Sequence, residues 1–290
     1  MTFDPNAQLD TSEVTDARGR SRLGGGGGLA VGGGGIGLVI AIVYLLLGGD
    51  PGALLNGGSG TGTGPDTNAP ESSALAQCRT GADANQREDC QIVGYVNSIQ
   101  RFWGTQVQGY QKAETVIFSD AVSTGCGNAS SATGPFYCPV DKNVYLDLTF
   151  FQELEQRFGA KDAPFARAYV LAHEYGHHVQ DLLGDLEASG DSGAAGGSVR
   201  TELQADCYAG VWANHAAADG AIKPLTPEQI AAADAAAKAV GDDHIQEQTQ
   251  GGADPDSFTH GTSEQRVRWF TTGYDTGDPR QCDTFNATNL

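Results

Sequence analysis

The sequence predicts an α+β chain, predominantly helical with a small sheet, preceded by one transmembrane helix. Three observations carry that prediction. Apolar residues recur at helical spacing along 165–182, and a second helical stretch follows along 199–214. Two short runs, Thr115-Val-Ile-Phe118 and Asn143-Val-Tyr-Leu-Asp-Leu-Thr149, have the chemistry of strands. Leu29 to Gly49 is free of charge and largely aliphatic.

From the N-terminus, residues 1–23 read as a polar tail and 24–49 as an uncleaved membrane anchor. A crossing needs about 20 apolar residues, which Leu29–Gly49 supplies if its glycines lie inside the bilayer, where glycine is tolerated. The competing reading, a signal peptide, calls for a small-residue cleavage site, and no clean one follows. Arg18, Arg20 and Arg22 precede the run, and no Lys or Arg occurs after it until Arg79. The positive-inside rule therefore expects a single-pass protein of the cell membrane, N-terminus cytoplasmic and the remainder outside. Residues 50–75, rich in Gly, Thr, Ser and Pro, read as a flexible tether, and 76–290 as the globular domain.

The chain carries 36 acidic against 17 basic residues, a formal charge of −19. That balance excludes nucleic acid as a partner and suits a solvated acidic surface. Six cysteines lie beyond the anchor, an even number in a compartment that permits disulfides. Neighbouring positions suggest Cys78–Cys90 and Cys126–Cys138, which leaves Cys207 for Cys282. No Cys-x-x-Cys spacing points to a thiolate metal site.

Within the domain, Ile92 to Tyr110 reads as a helix with Phe102 and Trp103 as core bulk, and the stretch from Cys126 to Cys138 as an irregular loop. Residues 143–149 alternate Val144, Leu146 and Leu148 with Tyr145, Asp147 and Thr149, the pattern of a half-buried strand. It could be an exposed edge that pairs with an extended peptide or an ordinary core strand. Phe165, Tyr169 and Ala172 share a helical face, and Gly184 offers the C-terminal cap. Residues 185–197 are small and acidic, hence a loop, and Ser198 is available to cap the helix that follows. Thr226, Pro227 and Gln229 form a capping box with proline at the first position. A last short helix carries Trp269 and Phe270.

The chemistry is concentrated in His173-Glu174-Tyr175-Gly176-His177. On a helix, positions i and i+4 share a face, so the two imidazoles can hold one metal ion. Glu174, rotated by about 100°, can reach a water on that metal. This is the pattern of a zinc hydrolase. A catalytic zinc usually takes three protein ligands. Glu202 and Asp206, again i and i+4, supply the candidates: Glu202 as third ligand, Asp206 as acceptor for the free ring N–H of a ligating histidine, with the two roles exchangeable. His178 faces elsewhere. His260, on a turn with Gly261, is a candidate donor to an oxyanion, alongside Tyr175 or another tyrosine.

Several stretches together resemble the bacterial family of neutral zinc metallopeptidases with an N-terminal membrane anchor. They are Val14-Thr-Asp-Ala-Arg-Gly19, Gly134-Pro-Phe-Tyr-Cys-Pro139, Val144-Tyr-Leu-Asp-Leu148, Ala168-Tyr-Val-Leu-Ala-His-Glu-Tyr-Gly-His-His-Val-Gln180, Glu202-Leu-Gln-Ala-Asp-Cys207 and Ser257-Phe-Thr-His-Gly-Thr-Ser263. The resemblance covers nearly the whole chain. It implies a zincin-type, gluzincin-like domain with Zn2+ on His173, His177 and Glu202, and Glu174 as base. A peptide or protein would be the substrate, cleaved outside the membrane. Two other classes stay open: a proteolytically silent zinc-containing scaffold, and an amidase acting on cell-wall peptides.

Overall fold

The β-branched run at 114–118 becomes the strand on which the sheet is built. A computed structural model of the chain describes residues 2–19, 75–158, 164–188 and 191–290. Its sheet has the order β1 (Val14–Asp16), β2 (Glu114–Phe118), β6 (Asn143–Asp147), β5 (Phe136–Cys138). β1 and β6 flank β2 in parallel, Val14 and Val144 both lying opposite Thr115, and β5 is antiparallel to β6. Between β2 and β5 a hairpin forms from β3 (Ala121–Thr124) and β4 (Gly127–Ser130).

The helices are α1 (Gly81–Ala84), α2 (Glu88–Gln106), α3 (Thr149–Phe158), α4 (Pro164–Leu183), α5 (Gly197–His215), α6 (Pro227–Ala239), α7 (Asp242–Gln250) and α8 (Ser263–Thr276). One large core joins the sheet to α2, α4, α5 and α8 through Ile117, Leu146, Trp103, Tyr169, Trp212 and Phe270, all buried. The architecture is thus predominantly helical α+β, as the periodicity predicts, with two small sheets among the described residues where one was expected. Gly184 ends α4 with φ +84°, and the Thr226–Gln229 capping box opens α6.

Four local expectations are revised. The stretch 126–138 is not a loop throughout, since β4 and β5 lie within it. Strand β6 is central and buried along its whole length, so the edge reading falls. Its second face is covered because Tyr145 stacks on Phe136, ring centroids 5.0 Å apart, in a separate cluster with Ala129 and Phe118. Ser198 is not a cap: α5 starts after Gly196, and Asp191 accepts the Gly197 N–H at 2.8 Å. Residues 2–19, read as part of a tail, pack onto the domain as β1 and its approach. The anchor at 24–49 and nearly all of the tether at 50–75 lie outside the described residues. No described helix is long and apolar enough to cross a membrane.

Glycines set the helix crossings that place the site. A Cβ on Gly210 of α5 would lie 2.0 Å from the Phe270 carbonyl oxygen, and one on Gly273 of α8 would lie 2.0 Å from that of Cys207. The two backbones therefore touch. A Cβ on Gly176 would meet the Ala205 backbone at 3.0 Å, so α4 and α5 are also close. Gly273→Ala is expected to lower stability by about 1–3 kcal/mol or more, because backbone must shift. Gly104→Ala in α2, where the nearest atom is 3.9 Å away, should gain about 0.5–1 kcal/mol. Denaturant midpoints of the two variants check this contrast.

All three anticipated disulfides are present, Cys78–Cys90, Cys126–Cys138 and Cys207–Cys282. The last closes a separation of 75 residues and ties the C-terminal segment to α5. Replacing both Cys207 and Cys282 by Ala should lower stability by about 4 kcal/mol, on loop-closure entropy. Guanidinium unfolding under non-reducing conditions checks the figure.

Candidate metal centre

His173 and His177 lie mid-way along α4, one turn apart, with ring centroids 4.7 Å apart and planes at 84°. Helix α5 brings Glu202 against them. His173 Nε2 is 3.1 Å from Glu202 Oε2 and His177 Nε2 is 3.4 Å from Glu202 Oε1. The three ligand atoms lie within 4.8 Å of one another. Ligands about 2.0–2.1 Å from a tetrahedral zinc stand roughly 3.3 Å apart, so these separations are those of a metal's coordination edge. The close approach at Gly176 makes this possible, since it lets α5 reach the face that carries both histidines.

Each imidazole is held from behind. His173 Nδ1 is 2.9 Å from Asp206 Oδ1, and His177 Nδ1 is 2.8 Å from Gln180 Oε1. A proton on each Nδ1 leaves each Nε2 with a lone pair for a metal. Gln180 is fixed in turn, donating to the Thr201 carbonyl at 2.7 Å and to Gln204 Oε1 at 2.8 Å. Gln204 donates onward to the Cys282 carbonyl, so the Cys207–Cys282 disulfide backs this chain. Tyr169 donates to Asp206 Oδ1 at 2.5 Å.

Arg266 on α8 completes the arrangement. Buried to 3 % exposure, its Nε and Nη2 donate to Asp206 Oδ2 and Oδ1 at 2.8 and 3.0 Å. Its Nη2 lies 3.9 Å from Glu202 Oε2. Sequence reasoning gave Arg266 no role. A lone arginine early in a helix carries no signal until the Gly210/Gly273 crossing lays α8 on α5.

Electrostatics favour a cation here. Burial by itself pushes the His173 imidazole down, but Asp206 and Glu202 outweigh it and carry the group up to about 10. Burial likewise opposes ionisation of Glu202 and Asp206. The histidines keep Glu202 well below the usual carboxylate range, and Arg266 with His173 lowers Asp206. An ionised Glu202 beside two imidazoles is a donor set that would suit zinc, and zinc would take the place of the proton that His173 otherwise holds. Glu174, 7 % exposed, is shifted upward, chiefly by burial, as suits a base. Among the described residues a second group, Cys78, Asp89 and Cys90, also clusters. Both its sulfurs are in a disulfide, so it offers no thiolate.

His260 is buried near the same site, and its charge and that of Glu202 favour each other. Asp242, in the first turn of α7, holds it: Oδ1 is 3.1 Å from His260 Nδ1. Oδ2 accepts the backbone N–H groups of Thr259, His260 and Gly261 at 2.7, 2.6 and 3.0 Å. Neither α7 nor the role of Asp242 was legible in the sequence. His178 stands apart, as expected, bonded to Tyr137 Oη and the Gln111 carbonyl. The Tyr175 hydroxyl is turned to Thr115 Oγ1 in the core, 3.0 Å away.

The Asp242–His260 pair gives a pH signature. Burial works against both charges, yet His260 is raised above 6.5 by Asp242, and Asp242 is lowered below 3.8 by His260 and the backbone N–H groups. Stability from a raised histidine is complete below its unfolded value and fades as pH rises through the folded one. Stability from a lowered aspartate is complete above its unfolded value and fades as pH falls through the folded one. The pair therefore contributes fully between pH 3.8 and 6.5 and less on either side. The difference in thermal midpoint between wild type and Asp242→Asn should be largest inside that window.

Known proteins resemble this chain over most of its length. An uncharacterised protein of Mycobacterium tuberculosis is 51% identical over 255 residues, covering 85% of this chain and 86% of that protein. A Mycobacterium bovis protein, also uncharacterised, matches to the same extent. The uncharacterised protein YpfJ of Escherichia coli is 46% identical over 194 residues, 63% of this chain and 66% of that one. No solved structure matches the chain. The family profile described as "Putative neutral zinc metallopeptidase" matches residues 5–285, and its cofactor is zinc. With the profile spanning nearly the full length, the chain belongs to this zinc metallopeptidase family.

Proposed function

We propose that the protein hydrolyses peptide bonds with a zinc ion held by His173, His177 and Glu202, in a domain of zincin type. The carrying observation is the convergence of two Nε2 atoms on the two oxygens of Glu202, at 3.1 and 3.4 Å, with each imidazole fixed through Nδ1. When bound, the zinc supplies Lewis acidity to the scissile carbonyl and to water.

The protein's own residues do the remainder. Glu174, buried and shifted upward, takes the proton from the attacking water and passes it to the leaving amine. His260, clamped by Asp242 through Nδ1, donates from Nε2 to the developing oxyanion. Asp206 keeps the His173 ring in place, and Arg266 balances its charge. Three disulfides support a workplace outside the cytoplasm.

The test is cleavage of an unstructured peptide library by the full chain, followed by mass spectrometry. Cleavage that a chelator abolishes and added zinc restores supports the reading. Bound zinc with no cleavage of any peptide, cell-wall peptides included, would replace it with a scaffold role. Cleavage confined to cell-wall peptides would replace it with an amidase.

A further inference from the structure

The N-terminal segment is built into the domain by more than one strand. Phe3 is 1 % exposed and lies against Tyr95 with ring centroids 5.2 Å apart. Gly94 makes room for it, because a Cβ there would lie 2.5 Å from the Phe3 ring. The Asn85 side chain pairs with both backbone groups of Phe3, at 2.9 and 3.0 Å. Asn97 does the same for Asp10, at 2.8 and 2.9 Å, and also donates to the buried Glu13.

Backbone bonds follow the whole path. Lys223 N–H donates to Thr2, Asp4 to Ala221, Gly81 to Ala7, Leu9 to Arg79, and Ala17 to Ile117, at 2.7 to 3.0 Å. A Cβ on Gly81 would lie 1.9 Å from the Asp4 carbonyl oxygen, so α1 is cut to fit this segment. β1 then covers the flank of β2 that would otherwise be a bare sheet edge, a surface that proteins keep protected.

These contacts conflict with the orientation that the arginines suggest. Arg18 is not a free cytoplasmic charge: its Nη2 bonds Asp16 at 2.7 Å and reaches Asp89 of α2 at 3.4 Å. A membrane crossed once between residues 19 and 75 would put β1 and β2 on opposite faces and forbid all of these bonds. Leu29–Gly49 is 21 residues long, enough for one crossing and too short for two.

We propose that residues 2–19 are a constitutive part of the metal-bearing domain and lie on the same side of the membrane as residues 75–290. The run at 29–49 then does not separate them by a single crossing. This stands whether or not the domain proves to be a peptidase.

The experiment uses the full chain in intact bacteria. Gln8→Cys and Thr288→Cys, both at exposed positions, are made separately and treated with a membrane-impermeant maleimide before and after lysis. Asn6→Cys, also exposed, repeats the N-terminal reading independently. Equal labelling of Gln8→Cys and Thr288→Cys in intact cells is the expected result. Labelling of neither until lysis, then of both, also supports the proposal, while moving the domain to the cytoplasmic side. Labelling of one in intact cells and of the other only after lysis overturns it.

Discussion

Glu174→Gln is expected to lower kcat by about 10²–10⁴-fold, the usual contribution of a positioned base, while zinc content stays at one ion per chain. The amide preserves the shape of the side chain and removes only its capacity to take a proton. Glu174 is not among the three converging ligands, so metal should be retained. The near-UV spectrum and thermal midpoint should also hold, because an uncharged group at this buried position avoids the desolvation that raises the carboxylate. Steady-state cleavage with elemental analysis on the same sample reads both quantities. A variant that keeps zinc and wild-type kcat would remove Glu174 from the mechanism.

Asp206→Ala should be the most damaging substitution outside the ligands. The carboxylate is fully buried and serves Tyr169, His173 and Arg266 together. Its loss leaves the guanidinium, 3 % exposed, without its bidentate partner, at about 3–5 kcal/mol. It also frees the His173 ring, for which zinc affinity should weaken about 10–100-fold. The two effects separate in a double variant. Asp206→Leu with Arg266→Met removes both charges and should recover much of the stability lost by Asp206→Ala, yet none of the zinc affinity. Unfolding midpoints and competitive zinc titration measure each arm. If the double variant is less stable than Asp206→Ala, the orphaned-charge account is wrong.

What the sequence reveals about this site is what lies within one helical turn. His173 with His177, and Glu202 with Asp206, are i, i+4 pairs whose shared face follows from the helical repeat alone. The cysteine pairing is legible for a related reason, two of the bonds being short-range at a separation of 12. Arg266 was invisible because it reaches the site from α8, through a crossing fixed by Gly210 and Gly273, and Asp242 because it meets His260 from α7, 18 positions away in sequence. A glycine in a helical run reads as a weak helix former, and only the neighbouring backbone shows why it is there. β1 escaped for the same reason. It is a three-residue strand whose partner is about a hundred positions away, and its polar flanks read as a tail until Phe3, Asn85 and Asn97 are seen together. β6 read as half-buried because its alternation is genuine, but Phe136 and Ala129 cover the second face.

The most direct test of the central claim is zinc K-edge X-ray absorption, with the anomalous difference map, on the zinc-loaded full chain. The account predicts one ion lying between His173, His177 and Glu202, with two imidazole nitrogens and oxygen as its ligands and no sulfur. Sulfur among the ligands, or an anomalous peak anywhere else in the domain, would contradict it.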